Sequence, residues 1–251
     1  MSSTGINISI NELLLGRQYR RGRFMYPSTE ELVGPYLTKL ENVVTEFKIK
    51  VIEPEEGSGI NKVQDKTYKR VWIQGMLPNK QQNHIKTIGL LYGLDTQNPL
   101  MKLYSGWENQ ACLNLSIFNP KRLNVAHLAS EEATSIFDNI ESYLDEIEEE
   151  ERELSEAIQF LTSQSYSGDS LNEKLGVLAR NCLTTQGLGS SYTNLVNFLE
   201  NSHDRNGIRN IYYREDKSYT GWDMYQAMTA TPSAKSLDPT REVIEIYKMF
   251  L

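Results

Sequence analysis

The sequence of 251 residues predicts an α+β protein, in which a mainly antiparallel sheet is backed by a long acidic amphipathic helix and followed by a smaller helical C-terminal region. Three observations predict this fold. Apolar and polar residues alternate in several segments of the first half, as they do in strands. Apolar residues recur every three or four positions in the second half, as they do in helices. Charge also divides the chain, because residues 1–128 carry 16 Lys+Arg and 11 Asp+Glu whereas residues 129–251 carry 10 and 22.

The first predicted helix follows a short basic arm, Arg17-Gln-Tyr-Arg-Arg-Gly-Arg23. Ser28 is expected to cap this helix, with Glu31 reaching back to the Ser28 backbone in a capping box. Apolar residues then recur at helical spacing over residues 32–44. Pro35 falls inside this pattern, and we expect it to kink the helix or to split off its first turn.

Four strands are predicted, at residues 47–51, 68–77, 101–103 and 111–118. In the first of them, the apolar side chains of Phe47, Ile49 and Val51 share one face, and the two lysines between them lie on the other. The second strand is rich in β-branched and aromatic residues, which strands favour. A polar loop over residues 53–65 separates these two strands.

The long helix is predicted to begin near Ser130, and its apolar positions follow heptad spacing. Nine positions share this spacing: Ala133, Phe137, Ile140, Leu144, Ile147, Glu151, Leu154, Ile158 and Leu161. One interpretation is a helix that packs across the chain's own sheet. The other is a homo-oligomer whose interface consists of Phe137, Ile140, Leu144, Ile147, Glu151 and Leu154. The 12 acids between positions 131 and 156 are expected to form a solvated face of this helix.

A linker at residues 163–169 is predicted to divide the chain. Residues 1–165 would hold the basic arm, the sheet and the long helix, and residues 166–251 the helical C-terminal region, unless the two form one continuous domain. The C-terminal region shows helical spacing at residues 171–183, 191–200 and 219–229. A last helix is expected to begin at Asp238-Pro239, with the acid at the cap and the proline at the first helical position.

The sequence predicts no catalytic residue, no metal ligand and no cofactor. The three histidines are scattered, and the chain contains neither Cys-x-x-Cys nor His-x-x-x-His spacing. A catalytic His203 beside Asp204, or a nucleophilic Cys112 or Cys182 paired with a distant histidine, is a weaker alternative. The sequence therefore leaves enzymatic activity uncertain but favours a protein that is not an enzyme.

The N-terminus has no signal-peptide pattern, and no apolar run is long enough to span a bilayer. The two cysteines are 70 positions apart and are expected to be reduced thiols. We therefore expect a protein without a membrane partner that resides in the cytoplasm of a host cell, with a place in a virion as the alternative.

Basic and aromatic residues occur together at two places in the first half of the chain. Single-stranded nucleic acid is bound by this mixture, because cations contact the phosphates and aromatic rings stack on the bases. The predicted nucleic-acid-binding residues are Arg17, Tyr19, Arg20, Arg21, Arg23, Lys69, Arg70 and Trp72. Tyr19 and Trp72 are assigned to stacking and the other six to phosphate. Solvated surface charges are the alternative interpretation.

Two stretches of the chain resemble the uncharacterised phage and plasmid protein family known as domain of unknown function 932. They are Leu15-Gly-Arg17 through Thr29-Glu-Glu-Leu32 and Tyr219-Thr-Gly-Trp222-Asp-Met-Tyr225-Gln-Ala-Met-Thr229. The chain departs from the family's pattern over residues 104–119. The resemblance implies a gene of a phage, prophage or plasmid and assigns no catalytic residue.

The predicted succession of strands and a long helix is similar to the core of phage single-strand annealing proteins of the RecT/Redβ kind, an analogy of fold alone. Together these features predict a non-enzymatic mobile-element protein that binds single-stranded nucleic acid, as an annealing or replication accessory factor. The alternative is a protein-binding factor, either a virion component or an inhibitor of a host defence system, with a phage or host protein as its partner.

Overall fold

The structure is a computed structural model that describes residues 6–14, 19–21, 24–26, 28–52, 70–93, 100–110, 114–128, 133–185, 188–203, 210–235 and 239–251. These ranges contain eight α-helices and eleven strands, so the predicted α+β class is confirmed. The chain divides into two compact units. The first comprises residues 1–108 and 120–147, and the second comprises residues 109–119 and 148–251.

The first unit contributes six strands to a mainly antiparallel sheet. They are β1 (Ile6–Asn7), β4 (Glu46–Ile52), β5 (Arg70–Gln81), β6 (His84–Gly93), β7 (Leu100–Asn109) and β9 (Leu123–His127), in the spatial order β1-β4-β5-β6-β7-β9. A separate hairpin pairs β2 (Tyr19–Arg21) with β3 (Phe24–Tyr26). The strands predicted at 47–51 and 101–103 are therefore confirmed. The strand predicted at 68–77 is confirmed from residue 70 onward, and residues 68 and 69 lie outside the described ranges. The sequence pattern does not predict β6, because most of its residues are buried on both faces and show no alternation.

Helices α1 (Ile10–Leu14) and α2 (Thr29–Leu40) belong to the same unit. The predicted capping box is confirmed, since the Glu31 amide donates to Ser28 Oγ at 3.2 Å and the Ser28 amide donates to Glu31 Oε2 at 2.7 Å. The helix continues through Pro35 to Leu40, so its first turn is not split off. Apolar packing on the sheet holds the helix together at the hydrogen bond that proline cannot donate.

Tyr36 fastens α2 to the sheet. Its buried hydroxyl donates to the Ile88 carbonyl at 2.6 Å and accepts from the Gly75 amide at 3.1 Å. These two residues are direct partners in the pairing of β5 with β6. The absence of a side chain at Gly75 lets Val44 pack closely against β5, because a Cβ at position 75 would lie 2.9 Å from Val44 Cγ1. The core of the unit is formed by α2, one face of the sheet and the segment after β9.

The long acidic helix is interrupted, which differs from the prediction. A 3₁₀ turn (Ala133–Asp138) leads into α3 (Asn139–Asp145), and α4 (Ile147–Ser163) follows. Glu146 leaves the helical conformation at φ −98° and ψ 15°. Its carboxylate accepts hydrogen bonds from the Ser142 hydroxyl and from the guanidinium of Arg122, a buried residue from another part of the chain. This long-range ion pair stabilises the break, and local periodicity carries no sign of it.

Most residues of the predicted oligomer interface pack inside the chain. Four of them lie in or against the core of the first unit: Phe137, Ile140, Leu144 and Ile147. Leu154 is fully buried in the second unit, and Glu151 is partly exposed. Packing within the chain therefore accounts for the apolar positions, and an oligomer interface at these residues remains a proposal.

The second unit is mainly helical. In addition to α4 it contains β8 (Leu115–Ser116), β10 (Ser165–Tyr166), α5 (Gly168–Thr184), α6 (Gly189–Glu200), β11 (Tyr219–Thr220), α7 (Gly221–Lys235) and α8 (Thr240–Lys248). The three helices predicted over residues 171–229 are confirmed. The last helix is also present, but Pro239 is its N-cap and not its first helical residue, and Asp238 lies outside the described ranges. The predicted strand at 111–118 is reduced to β8, and its residues 111–113 lie outside the described ranges. The two units meet within the first turn of α4, between Ile147 and Glu148, and the predicted boundary at residue 165 stays a prediction.

Among the described helices, none combines the length and the apolar character that crossing a membrane requires.

His84 predicts a dependence of stability on pH. Burial lowers the pKa of its imidazole to about 4, against an opposing hydrogen bond with the Gln81 backbone. In the unfolded chain this histidine becomes protonated near pH 6.5, whereas in the folded chain it becomes protonated only near pH 4. The free energy of unfolding should therefore fall as the pH falls from 6.5 to 4. His84→Gln should reduce this fall by about 1–3 kcal/mol.

Urea unfolding across that pH range measures the effect. His127→Gln, a change of an exposed histidine on β9, is the matched control and should leave the wild-type pH dependence in place. If the free energy of unfolding depends on pH in the same way in the wild type and in His84→Gln, His84 does not stay neutral in the folded protein.

Candidate nucleic-acid interface

The structure locates five of the eight residues predicted to bind nucleic acid. Tyr19, Arg20 and Arg21 form β2, where they pair with Tyr26, Met25 and Phe24 of β3. Arg70 begins β5 and is exposed, and Trp72 follows it on the same strand. The other three, Arg17, Arg23 and Lys69, lie outside the described residues.

Strand register brings Arg70 and Trp72 together with two lysines of β4. Lys50 is directly opposite Trp72, Lys48 is directly opposite Gln74, and Ile52 is directly opposite Arg70. Residues opposite each other in a sheet share a face, and so do residues two apart on one strand. This face is turned away from the hydrophobic core. We call it the polar face. Its polar and aromatic members are Lys48, Lys50, Arg70, Trp72, Gln74, Tyr104 and Glu108, and the register places the apolar residues Ile52, Met76 and Leu91 on it as well.

An aromatic pair lies at the centre of the polar face. The indole Nε1 of Trp72 donates to Tyr104 Oη at 3.0 Å, across the intervening strand β6. Gly89 of β6 makes this possible, because a Cβ there would overlap the ring of Tyr104. The ammonium of Lys50 lies 4.8 Å from the centroid of the Trp72 ring, within the range of a cation–π interaction.

Trp72 does not fit the stacking role predicted for it. Its side chain is only 7% exposed, and its indole N–H is already bonded to Tyr104. A base that stacks on Trp72 would have to replace packing that the folded chain already makes. The tryptophan therefore positions Lys50 instead of offering an open ring.

An ion pair crosses the polar face. Lys48 Nζ of β4 donates to Glu108 Oε1 of β7 at 2.7 Å. Strands β5 and β6 separate these two residues, so the pair spans three strand spacings, about 14 Å of sheet width. The Glu108 side chain is 6% exposed, whereas that of Lys48 is 34% exposed. Lys48 is therefore the partner of this ion pair that faces solvent.

Gln74 occupies the position beside this ion pair and is 1% exposed. Neither its Nε2 nor its Oε1 has a hydrogen-bond partner among the described residues. An unsatisfied buried polar group costs about 1–3 kcal/mol, and buried side-chain amides are normally bonded. An apolar side chain of the same size would avoid this cost. Packing alone therefore does not explain why a glutamine occupies position 74.

The alternative catalytic residues are not brought together in the part of the chain that the structure describes. Burial raises the pKa of the Cys182 thiol to about 11, and its Sγ lies 3.8 Å from Met249 Sδ. Such a thiol stays protonated at neutral pH and is a poor nucleophile. His203 is exposed and contacts Ser202, while Asp204 and Cys112 lie outside the described residues. No group of three potential metal ligands occurs within the described ranges.

Comparison of the chain with protein-family models, with curated proteins and with solved structures finds no match in any of the three. The resemblance to the domain of unknown function 932 and the analogy to annealing proteins therefore remain predictions, and the site is interpreted from its own geometry.

Most residues of the polar face are absent from the set predicted from the sequence. The alternation over residues 47–51 does place Lys48 and Lys50 together on the face opposite the core. It is the sequence pattern from which these two members of the site could have been predicted. Gln74, Tyr104 and Glu108 carry no such signal, because they come from strands whose neighbours in the sheet cannot be derived from local pattern.

Gly89 predicts how tightly the aromatic pair is packed. Gly89→Ala should lower the free energy of unfolding by at least about 2 kcal/mol, because the new Cβ displaces the Tyr104 ring. Gly176→Ala is the control, since at that position of α5 an added Cβ would have nothing within 4 Å. It should raise stability by about 0.5–1 kcal/mol through helix propensity. Urea unfolding measures both, and an unaffected Gly89→Ala would place Tyr104 elsewhere.

Proposed function

We propose that this chain binds single-stranded nucleic acid without catalysing a reaction, through the cations of β2 and of the polar face. The observation that carries the proposal is the row of Lys48, Lys50 and Arg70, which register places on one face around a buried aromatic pair. Residues two apart on a strand are about 6.6 Å apart, so Lys48 and Lys50 can follow a flexible phosphate backbone. Cations in a row on a sheet face can contact successive phosphates of a single strand.

The charge distribution supports the same proposal. The chain is net negative at −7, which disfavours indiscriminate attraction to nucleic acid. Its basic residues outnumber the acids only in the first half, where β2 and the polar face lie. Lys48 is partly neutralised by Glu108 and Glu46, so Lys50 is the stronger phosphate contact of the two lysines. With Trp72 buried, Tyr19 is the remaining candidate for stacking on a base.

The biological role proposed with this activity is an annealing or replication accessory factor of a mobile genetic element, acting in the host cytoplasm. Such a factor needs affinity for the phosphate backbone more than sequence recognition, and cations on a sheet supply that affinity.

Removal of two basic residues of β2 tests the proposal. Arg20→Ala together with Arg21→Ala should weaken binding of a labelled oligonucleotide. The slope of log affinity against log salt should fall by about 0.7 for each phosphate that the double variant no longer neutralises. Lys50→Ala should act in the same direction. Fluorescence anisotropy over a salt series measures affinity and slope together.

The matched control is Arg180→Ala with Arg241→Ala, which removes the same charge from two exposed positions of the second unit. It should leave the salt slope within error of the wild type. Equal reductions of affinity in both double variants would mean that total charge and not a site governs binding. A wild-type protein that binds no oligonucleotide at low salt would refute the proposal.

A second candidate function is protein binding through α4, and one observation favours it. Phe160 is 41% exposed on the flank of α4 that also carries Glu149 and Glu156. An exposed aromatic among acids suits a basic partner protein or a second copy of the chain. Light scattering over a concentration series separates these two partners, because self-association that Phe160→Ser abolishes would identify a homo-oligomer.

A further inference from the structure

Strand β9 lies at an edge of the sheet of the first unit. On one side it pairs with β7 in an unbroken register, from Leu100 opposite His127 to Tyr104 opposite Leu123. On its other side no strand of the described ranges pairs with it, and no further backbone hydrogen bond joins residues 123–127 to those ranges. An unpaired edge presents a row of N–H and C=O groups to which a strand of another molecule can bind.

The features by which edge strands usually avoid such pairing are missing from β9. Charged side chains, prolines and β-bulges protect an edge. The sequence Leu123-Asn-Val-Ala-His127 contains no Asp, Glu, Lys, Arg or Pro, and its register with β7 has no bulge. Val125, in the middle of the strand, is 50% exposed, although β-branched residues favour positions that pack against a neighbouring strand. The edge is therefore suited to a partner strand.

The exposed side chains of β9 lie on the side of the polar face. Val125 is directly opposite Lys102, and Leu123 is directly opposite Tyr104, which belongs to the polar face. Residues opposite each other share a face, and so do residues two apart on one strand. Ala126 points the other way and packs against the core. A strand added to β9 would therefore extend both faces of the sheet.

We propose that β9 pairs in antiparallel orientation with β9 of a second copy of the chain. A two-fold axis through Val125 brings the whole of β9 into the pair. Val125 is then directly opposite Val125 of the copy, and Leu123 is directly opposite His127 of the copy. Such an interface is isologous, because the same surface of each copy contributes to it.

Two properties of β9 favour a second copy as its partner. The strand carries no Asp, Glu, Lys or Arg, so identical strands can pair without placing such charges of the same sign opposite each other. The pairing also places the exposed Val125 side chains of both copies against each other. One interface therefore covers both free edges and both exposed valines, and it closes after two copies.

The pairing has a consequence for the polar face. Because opposite residues share a face, the polar faces of the two copies lie on the same side of one continuous sheet. This consequence rests on the proposed function, since a bound single strand could then contact the cations of both copies. The pairing of β9 itself does not depend on nucleic acid.

Opposite charges at position 125 test the inference, because the axis places this position opposite itself. The wild type should be a weak dimer that dissociates on dilution. Val125→Lys and Val125→Glu should each raise the dissociation constant of the dimer at least about fivefold, since like charges then face each other. An equimolar mixture of the two variants should form a heterodimer, in which the charges are opposite. Sedimentation velocity over a concentration series measures all four samples.

Val177→Lys is the matched control, because Val177 is a 43% exposed valine on α5 of the second unit. It should leave the dissociation constant within about twofold of the wild-type value. If the charged variants do not fold, Val125→Cys keeps the test decisive. Directly opposite residues of an antiparallel pair have Cα atoms about 4.5–5.5 Å apart, which a disulfide can span. Oxidised glutathione should therefore convert Val125→Cys, but not Val177→Cys, to a covalent dimer.

The outcomes are distinct. A wild type that stays monomeric over the whole series overturns the inference, and so does a dimer that the Val125 variants leave unchanged. A dimer that Phe160→Ser dissociates would lie on α4 and would also overturn it. Failure of the wild type to bind any oligonucleotide overturns the proposed function alone, because the pairing of β9 is measured without nucleic acid.

Discussion

The register of β4, β5 and β6 is the constraint on which the first unit depends. Side chains alternate between the faces of a strand, so a slip of one residue would exchange the core face and the polar face completely. Tyr36 secures this register from outside the sheet, because its hydroxyl bonds the Ile88 carbonyl and the Gly75 amide, which are direct partners across β5 and β6. This contact from α2 therefore supports the register that both faces of the sheet require.

The polar face illustrates a conflict between stability and function. The fold buries Gln74 without hydrogen bonds to the described residues and places Glu108 where a single lysine compensates its charge from the edge of the site. Apolar residues at these positions would give a more stable sheet. Departures of this kind occur more often at functional sites than elsewhere. The same reasoning explains why Trp72 acts as a support for Lys50 and not as an open stacking surface.

Charge has different roles in the two units. In the second unit, Arg152 of α4 pairs with Glu149 and Glu156 of the same helix, and such exposed pairs contribute little to stability. Over residues 129–251 the acids outnumber the basic residues by 22 to 10, which disfavours nucleic acid there. In the first unit, Arg122 pairs with Glu146, which is 24 positions away in sequence and lies where α3 ends. This pair joins distant parts of the chain, whereas the two pairs of Arg152 lie within one helix.

Features that depend on near neighbours can be recognised in the sequence. The capping box of Ser28 and Glu31, the alternation over residues 47–51 and the helices of the second unit all follow from local pattern, because their interactions span four residues or fewer. The break at Glu146, the burial of Trp72 against Tyr104 and the lack of a described hydrogen-bond partner for Gln74 become visible in the tertiary structure alone. Each of these depends on a residue far away in the chain or on its absence, and local periodicity contains no information about such partners.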